Sequence, residues 1–200
     1  MPAKNIVKVY IENNFYHIYN RGVEKRIIFE DEQDYKVFLS YLKIYLSPPD
    51  INNLQGPSLK AMRVPPSRQL KNYASQIDLL AYCLMPNHFH LLIKQSDKDS
   101  INHFMRSLAT KYSMYFNKKY HRVGPLFQSI YKAVRVESDP QLLHVGKYIH
   151  RNPIDILPTG TIIEGYAYSS YTNYLGRINQ TWVKPQEILS FFSQTNPALS

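Results

Sequence analysis

Apolar side chains recur along this chain with two different periods, and the period identifies each element. FYHIYN (15–20) alternates and is rich in aromatics, which predicts a strand, with Arg21-Gly22 as the turn behind it. Over 31–46 (DEQDYKVFLSYLKIYL) acids come first and apolar residues then repeat at helical spacing, which predicts a helix. The runs IDLLAYCLM (77–85) and HFHLLIK (88–94) flank Pro86-Asn87, a pair suited to the centre of a tight turn, so they predict a hairpin. From 100 to 120, Ile101, Phe104, Leu108, Tyr112 and Tyr115 stand three or four apart while the cations fall largely elsewhere, as in an amphipathic basic helix. Gly124-Pro125 then breaks the chain, and FQSIYKAVRVE (127–137) predicts another strand. Asp139-Pro140 predicts a helix start, with Asp139 as cap and Pro140 at the first helical position, and the helix should end at Asn152, before Pro153. YSSYTNYLG (168–176) and a short helix near 185–193 follow.

The order strand, helix, hairpin, helix, strand, helix suits an α+β fold: an antiparallel sheet with helices packed on one face. Two hundred residues suffice for one such domain, expected over 1–178 with a tail over 179–200. Residues 47–75 hold five of the thirteen prolines together with Asn52, Asn53 and Gly56, which predicts an irregular insertion.

Charge narrows the partner class. The net charge is +9, and no Asp or Glu occurs between Asp99 and Glu137, a stretch that holds Arg106, Lys111, Lys118, Lys119, Arg122, Lys132 and Arg135. Cations without interspersed acids attract a polyanion, whereas a mixed-sign surface largely cancels itself; a solvated face serving solubility is the plainer reading. Cys83 is the only cysteine, so an intrachain disulfide and a Cys-based zinc site are both excluded. With no signal-peptide pattern and no apolar run near ~20 residues, a cytoplasmic, non-membrane protein is expected. Most of the seventeen tyrosines should be half-buried packing residues, although they also suit base stacking.

Two segments can carry chemistry. In MPNHFHLLIK the alternation of a strand puts His88 and His90 on one face, about 7 Å apart, and Phe89, Leu91 and Ile93 on the other. Two imidazoles can then meet one divalent ion whose remaining positions stay open to water and a phosphate oxygen; two surface histidines are the alternative. In LLHVGKYIHRNP, Leu142, Val145 and Ile149 form a buried stripe, and Tyr148 and Asn152, four apart, share the face beside it. A phenol is a poor nucleophile near neutral pH and needs a cation or metal close by; a tyrosine that packs its ring and wets its hydroxyl is the simpler role.

FYHIYNRG, AYCLMPNHFHLLIK, the acid-free helix followed by GPLFQSIYKAVRV, and YIHRNP stand in the order seen in single-tyrosine HUH transposases of the IS200-like superfamily. The resemblance covers roughly 15–175 and is nearest to the REP-associated tyrosine transposase branch. It implies an RRM-like or ferredoxin-like core in which His88 and His90 are ligands of Mg²⁺ or Mn²⁺, Asn152 completes the coordination, and Tyr148 is the nucleophile. It further implies cleavage of single-stranded DNA beside a hairpin, a 5′-phosphotyrosine link with a free 3′-hydroxyl, and strand transfer without a nucleotide cofactor. Arg106, Lys111, Lys118, Lys119, Arg122, Gln128, Lys132 and Arg135 are the expected DNA-holding residues, and His17, Asn20 and Tyr131 are candidates to line the cleft. Monomer or homodimer, with Tyr148 acting in its own chain or on a neighbour, both fit. Two further functions stay open: a phosphoesterase using metal-bound water, and a non-catalytic single-strand binder.

Overall fold

The computed structural model describes residues 10–48 and 71–195, the last three by backbone alone. Most of the expected 47–75 insertion lies outside the described residues. Strand β1 (Phe15–Arg21) leads through a short 3-10 turn to α1 (Glu32–Leu46), then to β2 (Ile77–Met85) and β3 (His88–Gln95), α2 (Ser100–Lys119) and β4 (Lys132–Val136). Helix α3 (Asp139–Arg151) follows, and after two more 3-10 turns come α4 (Tyr171–Tyr174) and α5 (Gln186–Thr195). The four strands form one antiparallel sheet in the order β2-β3-β1-β4. With a helix after β1 and another after β3, this is the split βαβ arrangement of ferredoxin-like folds.

The alternation of the strands assigns the two faces. Tyr16 and Ile18 of β1 and Phe89, Leu91 and Ile93 of β3 enter the larger core with Phe38 and Leu42 of α1 and Phe104, Leu108 and Tyr112 of α2. Leu80, Ala81, Cys83 and Leu92 point the other way and pack on Leu142 and Ile149 of α3 and Ile188 of α5. The expectation of helices on one face therefore holds for α1 and α2, while α3 covers part of the opposite face. Its stripe of Leu142 and Ile149 needs an apolar partner, and the second face of β2 supplies one. A register shift between Leu79 and Ala81 bulges β2, so that Leu80 and Ala81 both join the second core. The outer edge of β2 is covered by the chain beyond α3, through bridges Cys83–Ser169 and Leu79–Val183.

Local chemistry explains the ends of the helices. Asp31 caps α1 in a capping box with Asp34. For α3 the cap is Ser138, whose hydroxyl accepts from the Gln141 amide, so the expected cap Asp139 is instead the first helical residue. Ser138 has the extended backbone a cap requires, and Asp139 favours the positive end of the helix from inside its first turn. The strand expected over 127–137 pairs with β1 only from Lys132 onward; residues 127–131 run irregularly beside the end of β1, held by Gln128 N donating to Arg21 O at 2.9 Å.

Candidate active site

Strands β1 and β3 carry three histidines on the face that α3 partly covers, because Tyr19 pairs with His90, and His17 with Leu92. His88 and His90 alternate with Phe89, which is anchored in the larger core, so the packing of one face fixes the imidazoles on the other. Their rings stand 5.0 Å apart and nearly perpendicular. His90 is only 5% exposed and its Nδ1 lies 2.8 Å from Nε2 of His17, with the two rings stacked at 5.0 Å. Nδ1 of His88 lies 2.6 Å from Oδ1 of Asn87, whose amide nitrogen donates to Lys25 O, an orientation that turns the oxygen toward the imidazole. His88 therefore donates from Nδ1, which makes Nε2 its lone-pair nitrogen when the ring is neutral.

Burial holds all three imidazoles neutral. It lowers His17 to about 4 and His90 to about 2, the latter helped by His17, His88 and Arg21 nearby. His88 is lowered by burial and by Arg21, against an opposing hydrogen bond that its protonated form donates to Asn152. Neutral imidazoles keep the lone pairs that bind a divalent cation. That hydrogen bond also places the Asn152 carboxamide beside His88, and Asn152 donates an N–H to Tyr148 O at 3.0 Å, which turns its oxygen toward the imidazole. Two imidazoles and a carboxamide oxygen thus fit a hard or borderline divalent ion. Among the described residues no group of three or more His, Cys, Asp or Glu is arranged to hold a metal, so the fuller ligand set expected of a zinc phosphoesterase is not found there.

Tyr148 projects from α3 over the histidines. Its ring meets His90 edge-on at 5.6 Å and His17 at 5.9 Å, within one chain, and it remains 48% exposed. The helix is pinned by the buried His150, whose Nε2 lies 2.8 Å from Ser170 Oγ; that hydroxyl in turn accepts from the Tyr82 amide of β2 at 2.9 Å. Tyr19, Arg21, His88, His90, Gln128, Lys132 and Tyr148 line one cleft of about 260 Å³.

The expected DNA-holding residues do not all gather there. Gln128 and Lys132 line the cleft, with the Lys132 ammonium 5.8 Å from the Tyr19 ring centre. Arg106 lines a second cavity nearby, and Lys111 and Lys118 lie exposed on α2. Arg122 donates to Asn117 on the same helix. Lys119 is engaged with Asp31 and Asp34, and Arg135 with Glu137. The stretch lacks acids in sequence, but folding brings acids from α1 and from Glu137 against two of its cations. Tyr131 donates to Asn102 and lies in the larger core rather than the cleft. Arg21, Tyr19 and Asn87 were missed; the Asn directly before His88 in MPNH was the available signal, since ligand histidines commonly rest their second nitrogen on a neighbouring acceptor.

Residues 68–152 match the family model described as "Transposase IS200 like". That block spans β2 to α3 and contains His88, His90, Tyr148 and Asn152, so the resemblance read from the sequence is borne out. Among curated proteins there is no match. Of the solved structures, one of a REP-associated tyrosine transposase bound to a REP hairpin has a TM-score of 0.57 at 14% identity, over 87% of this chain and 86% of that one. A second, a putative transposase from Deinococcus radiodurans, has a TM-score of 0.40 at 15% identity, over 76% of this chain and 97% of that one. The first shares the α+β antiparallel fold.

Proposed function

We propose that this protein is a transposase that cuts and rejoins single-stranded DNA beside a hairpin, with Tyr148 as its nucleophile. The observation that carries the proposal is the edge-on packing of Tyr148 on His90 in the same chain, inside the block that matches IS200-like transposases. In the reaction the Tyr148 phenol gives up its proton to solvent and its oxygen attacks the phosphorus, the bond from phosphorus to the 3′ oxygen breaks, and that oxygen takes up a proton from solvent to leave as a free 3′-hydroxyl. The 5′ side stays joined to the tyrosine. A 3′-hydroxyl from another strand end then reverses these steps, so the phosphodiester energy is retained and no nucleotide cofactor is required.

The chain's own groups divide this work. Lys132 and Arg21 at the cleft offset phosphate charge, and Gln128 offers hydrogen bonds to the backbone. His88, His90 and Asn152 would hold Mg²⁺ or Mn²⁺, which when bound polarises the scissile phosphate. His17 and Asn87 keep the imidazoles oriented. Arg106, Lys111, Lys118 and Arg122 supply longer-range attraction for the strand. The meeting of phenol and imidazoles within one chain supports catalysis in cis.

The test is to incubate the protein with labelled single-stranded hairpin DNA and Mn²⁺ and to denature it. A covalent protein–DNA adduct that disappears in Tyr148→Phe is expected. Cut ends released by Tyr148→Phe would point to hydrolysis by water, and DNA left intact by the unaltered protein would point to a binder.

A further inference from the structure

A second cavity, of about 500 Å³, lies on the other side of the sheet, between α2 and the irregular segment 127–131. It and the catalytic cleft share Asn20 and Ser129 as common wall. The regular pairing of the sheet is interrupted at this point. The β1–β4 ladder ends at Tyr19–Lys132 and resumes only as an isolated bridge between Gly22 and Phe127. Asn20, 6% exposed, spans the interruption: its amide donates to Ser129 O at 3.0 Å, and its oxygen accepts from Arg21 N. The two cavities are therefore immediate neighbours, separated by the hydrogen-bonded pair Asn20 and Ser129.

The lining of that cavity names its occupant. Met105, Ala109, Phe127 and Ile130 give it apolar walls, and Ile130 is 79% exposed although it is a large aliphatic side chain. Arg106, exposed on α2, lines the cavity with no carboxylate in ion-pair range among the described residues, unlike Lys119 and Arg135 of the same basic stretch, although Asp99 at the start of α2 lines the cavity too. Apolar walls beside a guanidinium outside any ion pair suit a flat heteroaromatic ring carried on a phosphate, and the volume lies within the roughly 300–1,000 Å³ of small-ligand pockets.

We propose that this cavity takes an unstacked nucleobase of the bound single strand, next to the nucleotide held in the catalytic cleft, with Arg106 on its phosphate. The idea rests on the single-strand reading of the cleft. It makes Ala109 and Ile130 specificity-determining positions: they contact a base, whereas the cations contact backbone.

The experiment compares binding of a fluorescent 20-mer of thymidylate with an abasic 20-mer of the same backbone, by anisotropy at fixed salt. Ala109→Trp, which fills the cavity, should weaken thymidylate binding about tenfold and leave abasic binding unchanged, since one stacked base contributes on that order. Ile130→Ser, at an exposed position, should act in the same direction and serves if the first variant folds poorly. Equal binding of both strands to both variants as to the parent overturns the proposal, and so does equal weakening for both strands. Adduct formation on hairpin DNA is scored separately. Adduct formation without base discrimination by these variants sinks the pocket alone; discrimination without adduct sinks the nuclease alone.

Discussion

At the scale of single residues, the site depends on which ring nitrogen of each histidine carries the proton. His88 is settled by Asn87, an acceptor that forces the proton onto Nδ1. His90 is paired with another histidine, and the two can exchange donor and acceptor roles. Only when His90 donates from Nδ1 does it present a bare Nε2 lone pair, so cation binding would select that tautomer, with His17 as acceptor. Replacing His17 with Phe keeps a flat ring and removes the acceptor. His17→Phe is therefore expected to raise the Mn²⁺ concentration needed for adduct formation roughly 10–100-fold, the usual effect of losing such a support, with thymidylate affinity retained. His17→Gln restores an acceptor oxygen and should recover most of the loss. A manganese titration of the two variants checks this; superimposable curves for His17→Phe and the parent would remove His17 from the site.

At the scale of elements, α2 shows how a charge pattern legible in sequence changes meaning on folding. Lys119 belongs to the acid-free stretch and was expected to hold DNA, yet its ammonium lies 2.8 Å from Asp34, a carboxylate with 0% side-chain exposure. Tyr115 and Tyr120 donate to the same carboxylate at 2.9 and 2.8 Å, as does Glu30 N, so the group joins α1 to the end of α2. Lys119→Met should cost about 2 kcal/mol of stability, the scale of one charge-assisted bond to a buried ion, and change single-strand affinity little. Urea unfolding beside a DNA titration reads both, and a stable variant with weak DNA binding would return Lys119 to the interface. The periods of the apolar residues sufficed for β1, α1, the hairpin, α2 and α3, because each has one face in a core. The bulge at Leu80 and the late start of β4 escaped detection: β2 is apolar on both faces, and 127–131 keeps strand-like composition without a partner strand. Tyr148, Asn152, His88 and His90 could be singled out by spacing, but their approach depends on α3 crossing β2 and β3, which no local pattern encodes.

At the scale of the whole molecule, the polar groups that organise the site are also groups that folding removes from water. His17 and His150 are lowered from 6.5 to about 4 and His90 to about 2, in each case chiefly by burial. Below about pH 6.5 the unfolded chain takes up protons on these histidines that the folded chain refuses. Their contribution to stability is thus fully present above pH 6.5 and diminishes as the pH falls, for His17 and His150 down to about 4 and for His90 further. Each histidine contributes a slope of up to roughly 1.4 kcal/mol per pH unit within its window. The three slopes add because all the groups lie on or against one sheet and ionise only when that sheet is opened. In chelator, with no divalent ion to hold the imidazoles neutral, the melting temperature should drop steadily between pH 6.5 and pH 4.5. Saturating Mn²⁺ should raise the curve most near its upper end, where protons compete least for the same lone pairs. A metal-free melting temperature that stays level across that interval would mean the imidazoles are open to water in the folded protein, and the buried constellation beneath Tyr148 would not exist.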